Sequence, residues 1–346
     1  LIDSALQLVG LHHSPERRSQ VFARPDSHFG FDPAMRCYAT LTPEASLAIQ
    51  QSEDWLAPDL TAFVERLVER LNLDLSVTVE VLGQVPLLHE GARHRELRRD
   101  LAGAISSRLP IVQREMPAWV SRLLEPMRHR DSFDLVSELS IPLIAAISRT
   151  LDGGITPPTE VAVSRLVDQL LGVGTRRSIE TALKAMKAGI VGQSETEAIR
   201  ALVLNVLGTD TLGGSLSATL HDCLPKQTPA GFAEISWPTE FTSTSIPYVA
   251  RVAGRDCEVL GTSFSKGDNL HLYFLPFSDT EGHRDLGKLF GYGRHACIGK
   301  RLSLMVWNEV TRQLGLIDRK VVVTDYRLRP ADYLFVYPEK LEIALS

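Results

Sequence analysis

Apolar residues recur at helical spacing through most of the chain from Glu44 to Leu224, and short alternating runs take over after Pro225. The spacing predicts helices over Leu60–Leu71, Glu90–Ser107, Met116–Met127 and Asp131–Leu151, with Pro142 near the first turns of the last or kinking it. Val77–Leu82 alternates weakly, as a strand does. Pro157-Pro158 breaks the chain before a helical pair, Glu160–Leu171 and Arg176–Ala188. A long helix begins at the capping-box pattern Ser194-x-x-Glu197. The helix carries Ile199, Leu202, Val203, Val206 and Leu207 as one apolar stripe.

Strands are predicted near Tyr248–Val252, Asn269–Phe274 and Lys320–Thr324, with a hairpin-like end over Tyr333–Leu345 and a last long helix from Ile298 to about Leu314. The opening, Leu1 to Tyr38, reads as irregular, and His12-His13 within it as a solvated pair. A Thr/Ser cluster stands out at Thr242–Ser245. The fold class is therefore mainly α with a smaller β portion. The 346 residues, with no internal repeat, are expected to form a single domain over 1–346.

Composition narrows the function by exclusion. A net charge of −5 gives no general attraction to nucleic acid or an anionic membrane, and no apolar run approaches the ~20 residues of a membrane span. Four scattered cysteines without a C-x-x-C pair argue against a zinc knuckle or disulfide scaffold and suit a reducing cytoplasm. The chain starts with neither a leader pattern nor a Met, so a few native residues are expected to precede Leu1.

The densest chemical signal is the run Phe290-Gly291-Tyr292-Gly293-Arg294-His295-Ala296-Cys297-Ile298-Gly299. Two glycines permit a tight loop, and the cysteine stands where a helix begins. Unpaired N–H groups and nearby basic side chains favour a thiolate there. An isolated cysteine is most often a small buried hydrophobe. A phosphatase-type nucleophile would need an arginine six residues on, where this chain has Ser303.

The run resembles the cysteine-ligand loop of the cytochrome P450 family, F-x-x-G-x-(H/R)-x-C-x-G, and matches at every defined position. The resemblance implies haem b with Cys297 as its axial ligand and Phe290 against the macrocycle; a thiolate ligand promotes O–O cleavage. Further segments carry the resemblance. Gly208-Thr209-Asp210-Thr211, on the long helix, is similar to the family's acid–alcohol segment. That match implies proton delivery to dioxygen through Asp210 and Thr211. Read alone, three glycines about that point (208, 213 and 214) equally describe a frayed helix end with a local side-chain-to-backbone bond.

His94 and Arg98, four apart on one helix face, resemble the H-x-x-x-R pair that holds a haem propionate; alone they would read as a solvated basic face. Arg251, in a run similar to R-x-A-x-x-D, would hold the other propionate alongside His295. Phe133-Asp134-Leu135-Val136 resembles a core segment with a packing role.

The resemblance has gaps. The family's E-x-x-R pair is missing, since Glu234-Ile235-Ser236-Trp237 places tryptophan where arginine belongs. The chain between Asp210 and Phe290 is short, and Val306 replaces the usual glutamate of the final helix. The implied function is a monooxygenase hydroxylating a small organic molecule, as in secondary metabolism. Ferredoxin and its reductase would be the electron donors, steered by Lys288, Arg294, Lys300 and Arg301 about the cysteine loop; these equally read as solvated surface charges. Two alternatives stay open: a redox-neutral or peroxide-driven reaction on the same haem fold, and a non-catalytic haem-binding or partner-recruiting homologue.

Overall fold

The structure is a computed structural model. It describes residues 6–8, 11, 14–23, 25–152, 161–168, 171–279, 286–329 and 335–346. Two compact units result. One comprises 1–58, 246–297 and 330–336; the other comprises 59–245, 298–329 and 337–346.

The smaller unit is built on a five-stranded sheet. Its strands, in spatial order, are Phe29–Asp32, Cys37–Thr40, Asn269–Tyr273, Tyr248–Ala253 and Trp55–Leu56. Neighbours are antiparallel except that Cys37–Thr40 pairs parallel with Asn269–Tyr273. Phe264, from the Cys257–Val259/Thr262–Phe264 hairpin, packs edge-on against Phe29, Tyr38 and Trp55 at 5.1, 4.9 and 5.0 Å. Such contacts add to the area those rings bury. The Pro43–Gln51 helix, capped by Thr42, belongs to the same unit.

The larger unit is helical. Its helices are Leu60–Leu71, Ser76–Leu82, Gly91–Leu124, Ile141–Asp152, Val173–Ala188, Glu195–Cys223 and Lys300–Leu314. A four-stranded antiparallel sheet accompanies them, in the order Ser132–Asp134, Pro338–Leu345, Lys320–Leu328, Ala230–Gly231. Leu202, Val203 and Val206 of the predicted stripe lie in the unit's core with Leu75, Val81, Val85, Leu166 and Ile179. The capping box at Ser194 and Glu197 forms as its spacing predicts. Phe133, Leu135 and Val136 are buried, as a packing segment should be.

Several elements differ from the sequence reading, each for a physical reason. Val77–Leu82 lies in the Ser76–Leu82 helix, not in a strand. Val77 and Val81 are buried one turn apart, as are Thr78 and Leu82, so β-branched residues there serve a helical face. The two helices read over 90–127 are one. Leu109, Val112, Met116, Val120 and Leu124 keep one buried face across Pro110 and Pro117, so packing overrides the two breakers. Asp131–Leu151 divides into the short strand Ser132–Asp134, one π-helical stretch over Leu135–Ser140 and the α-helix from Ile141.

Within the predicted helix 160–171, the described part is a 3-10 turn over Val163–Val167. The irregular opening contains the Pro15–Phe22 helix and an antiparallel strand pair. Among the described residues of the hairpin-like end there is one strand, Pro338–Leu345, paired with Lys320–Leu328. His12, His13, Pro157 and Pro158 lie outside the described residues.

Candidate functional site

The cysteine loop belongs to the smaller unit. Two 3-10 turns, Leu286–Phe290 and Gly293–His295, lead to Cys297, whose N–H donates to the Phe290 carbonyl at 2.7 Å. That bond closes the loop on itself. Gly291 and Gly293 have φ of +73° and +69°, the left-handed region where a side chain is strained. A Cβ on Gly293 would also stand 2.9 Å from the Gln50 carbonyl oxygen, so chain passes directly behind the turn. The Gln50 side chain in turn accepts from the Tyr292 N–H.

Arg294 has a bracing role. Its guanidinium donates to the carbonyls of Ser52 and Trp55 at 3.1 and 2.8 Å, tying the loop to the end of the Pro43–Gln51 helix and the Trp55 strand. Held this way, Cys297 is exposed, so it is not the buried hydrophobe an isolated cysteine usually becomes. Cys37 and Cys223 contrast with it. Burial pushes their thiols up, to about 12 and about 11.

Phe290 and His295 are half-buried in the same loop. Arg251, 5% exposed in the Tyr248–Ala253 strand, donates to the Ala250 carbonyl at 2.8 Å. Of the remaining basic residues, Lys288 stands 4.3 Å over the Tyr292 ring, Lys300 pairs with Glu240 at 3.4 Å, and Arg301 is exposed.

In the larger unit, His94 and Arg98 are one turn apart near the start of the Gly91–Leu124 helix, His94 buried and Arg98 half-buried. The Glu195–Cys223 helix runs unbroken through Gly208, Gly213 and Gly214, so the frayed end is not what forms. The local side-chain bond does form. Thr211 Oγ1 donates to the Leu207 carbonyl at 2.7 Å.

Asp210 and Thr211 turn to different partners. Asp210 accepts a hydrogen bond from the hydroxyl of Ser164, which is fully buried. Desolvation raises the Asp210 carboxyl above the usual range, while the Ser164 bond and the charge of Arg329 pull the other way. Sequence alone offers no signal for Ser164, which comes from 46 residues away. Beside this pair a buried polar chain joins Asp152, Asn205 and Thr209 to Ser148.

The missing E-x-x-R pair has a structural counterpart. All of 224–247 is described, and it contains no α-helix, only the strand Ala230–Gly231 and the 3-10 turn Phe232–Glu234. Glu234 is exposed and accepts from the Gly231 N–H. Trp237 packs edge-on against Trp307 of the Lys300–Leu314 helix, with centroids 5.9 Å apart. Val306 is fully buried in that helix.

The chemistry of the side chains present fits a haem. An exposed thiol stands on a loop pinned at Phe290, Gln50 and Arg294, and buried or half-buried nitrogen donors are present at His94, Arg98, Arg251 and His295. Among the described residues, no cluster of three or more His, Cys, Asp and Glu could hold a metal ion directly, and no helix is long and apolar enough to cross a membrane.

No family model matches the sequence, and no curated protein matches it. Solved structures do. The structure is similar to that of CalO2, with a TM-score of 0.75 and 18% identity over 97% of each chain. The cytochrome P450 enzyme CYP109B1 from Bacillus subtilis matches with a TM-score of 0.69 and 14% identity, over 92% of this chain and 96% of the other. P450BioI, solved in complex with an acyl carrier protein ligated to hexadec-9Z-enoic acid, matches with a TM-score of 0.66 and 16% identity, over 90% of this chain and 92% of the other. At such identities the likeness speaks for architecture. The chain has the fold of bacterial cytochromes P450, mainly helical with a smaller β portion.

Proposed function

We propose that this chain, read over 1–346 as one catalytic domain, is a haem-thiolate monooxygenase that oxidises a small organic molecule, for instance in secondary metabolism. The observation that carries the reading is the pinned loop that leaves Cys297 exposed. Haem b, which the Cys297 thiolate would hold, would supply the activation of dioxygen.

The chain's own residues do the rest. His94, Arg98, Arg251 and His295 would hold the propionates, and Phe290 would pack against the macrocycle. Asp210 holds and passes protons. Its raised pKa brings it nearer to working pH, where a carboxyl exchanges protons more readily, and the Ser164 hydroxyl fixes its orientation. Thr211 spends its hydroxyl proton on the Leu207 carbonyl, which leaves the oxygen to accept.

Ferredoxin and its reductase are the expected donors, in a cytoplasmic setting. Arg294 is occupied by two carbonyls and Lys300 pairs with Glu240, so exposed Arg301 is the better candidate for meeting an acidic partner. P450BioI is solved with an acyl carrier protein, so a substrate screen should include carrier-bound as well as free small molecules.

The reduced protein with carbon monoxide tests the reading. A red-shifted Soret band that Cys297→Ala loses is expected; an imidazole-type band in the wild type would overturn it. A redox-neutral or peroxide-driven reaction is the second reading, and the absence of any α-helix over 224–247 favours it. Turnover with the ferredoxin system, with peroxide alone and with neither separates the two, and no turnover in any arm would leave a haem-binding homologue.

A further inference from the structure

The Thr242–Ser245 cluster has no part in the chemistry above, yet it runs along one face of the helix that carries Thr211. Its partners there, at 211, 215, 219 and 222, are successive turns of that face. Asp222 accepts from Thr242 Oγ1 at 2.9 Å and from Ser243 Oγ at 2.6 Å. The Ser243 N–H donates to Thr219 Oγ1 at 3.3 Å. At the far end, the Ser245 N–H donates to Ser215 Oγ at 3.0 Å. The hydroxyls of Ser245 and Ser215 both donate to one acceptor, the Thr211 carbonyl, at 2.9 and 2.7 Å.

Ser245 is fully buried and Ser215 nearly so. The approach requires Gly214, where a Cβ would meet Ser245 Cβ at 2.7 Å and the Tyr337 ring at 2.9 Å. A glycine that weakens a helix interior thus has a packing reason, because it lets the strap reach Thr211.

We propose that Ser245, supported by Ser215, is a positioning residue for Thr211. The two hydroxyls fix the Thr211 backbone while its own hydroxyl is held to the Leu207 carbonyl, so the side chain keeps one direction. The inference rests on the haem-thiolate reading, in which the Thr211 hydroxyl faces dioxygen.

The test needs no identified substrate. Haem-loaded protein is reduced with dithionite and mixed with dioxygen, and its return to the ferric state is timed; each iron loses one electron to dioxygen. Ser245→Ala removes its bond to the Thr211 carbonyl and the long 3.4 Å contact with the Ser215 hydroxyl; loss of the first corresponds to about fivefold in the population of misdirected Thr211. Reoxidation should therefore quicken about fivefold. Gly214→Ala, which pushes the strap away, should act in the same direction. Ser243→Ala, which loosens the strap two turns from Thr211, should keep the wild-type rate. Hydrogen exchange gives a second readout, and the amide of residue 245 should exchange faster in Ser215→Ala.

If Thr211→Ala reoxidises faster while Ser245→Ala matches wild type, the positioning role falls and the haem-thiolate reading stands. Equal acceleration by Ser243→Ala and Ser245→Ala would make the strap a general brace and also overturn the proposal. A wild type without the thiolate-type carbon monoxide band would remove the haem-thiolate reading and the positioning role with it, whereas a Thr211→Ala protein at the wild-type rate would overturn the positioning role alone.

Discussion

His271 is a buried base whose protonation should destabilise the smaller unit in acid. It lies in the Asn269–Tyr273 strand, 9% exposed, stacked on Tyr248 with centroids 4.1 Å apart. Its Nδ1 has no hydrogen-bond partner among the described residues. Desolvation lowers its pKa from 6.5 to about 4, and the charge of Asp32 offsets this only in part.

The sign follows from linkage. A group whose folded pKa is depressed binds more protons when unfolded, so stability rises with pH across the gap and is lost as pH falls through it. The window is pH 6.5 down to about 4. A gap of that size corresponds to about 3 kcal/mol in full, of which about 2.5 kcal/mol is lost by pH 4.5. His271→Phe keeps the stacking ring and removes the titration. Urea unfolding followed by tryptophan fluorescence at pH 7.5, 6 and 4.5 provides the assay. Wild type should lose about 2.5 kcal/mol more than His271→Phe between the end points. Parallel pH curves for the two proteins would refute a neutral, desolvated His271.

Other perturbations test separate parts of the structure. Glu180 on the Val173–Ala188 helix accepts from the N–H groups of Val77 and Thr78 at 3.1 and 2.8 Å, capping the Ser76–Leu82 helix, whose own N-cap Leu75 cannot. Glu180→Ala should cost about 2 kcal/mol in chemical denaturation, the scale of charge-assisted bonds. In the haem-free protein, iodoacetamide should label exposed Cys297 first and leave Cys37 and Cys223 largely unmodified at pH 8, read by peptide mass spectrometry. Bound haem should protect Cys297 from the reagent. An Arg98→Ala/Arg251→Ala double variant should release haem to apomyoglobin faster than wild type at unchanged secondary structure; equal off-rates would remove the propionate assignment.

Much of the fold was legible because long helices announce themselves by period. Leu60–Leu71 and the Ser194 capping box form where spacing places them. Short elements were not legible. Val77–Leu82 has too few residues for its period to separate helix from strand, and the other helices decide which face is buried. The gap read between Ser107 and Met116 closed for a related reason, since the buried face of one helix continues across it. In the cysteine loop, the glycines marked the turns. The braces at Gln50, Ser52 and Trp55 come from about 240 residues away and leave no local trace. Ser164 and Ser245 are likewise plain serines until the chain folds.

The stretch between Cys223 and Tyr248, which lacks the E-x-x-R pair, helps to hold the final helix in place through side-chain contacts. Trp307, fully buried on the Lys300–Leu314 helix, donates its indole N–H to the Pro238 carbonyl at 2.7 Å. Trp237 and Phe241 pack on the same ring from either side of that proline in sequence, with centroids at 5.9 and 5.6 Å. Glu240 adds its pairing with Lys300 at the helix's first residue. Two large apolar contacts and one neutral hydrogen bond require no desolvated charge, whereas a buried pair must overcome the loss of both ions' hydration. A segment with no α-helix of its own can therefore anchor the helix that begins three residues after Cys297, because the anchoring lies in side chains the helix already carries.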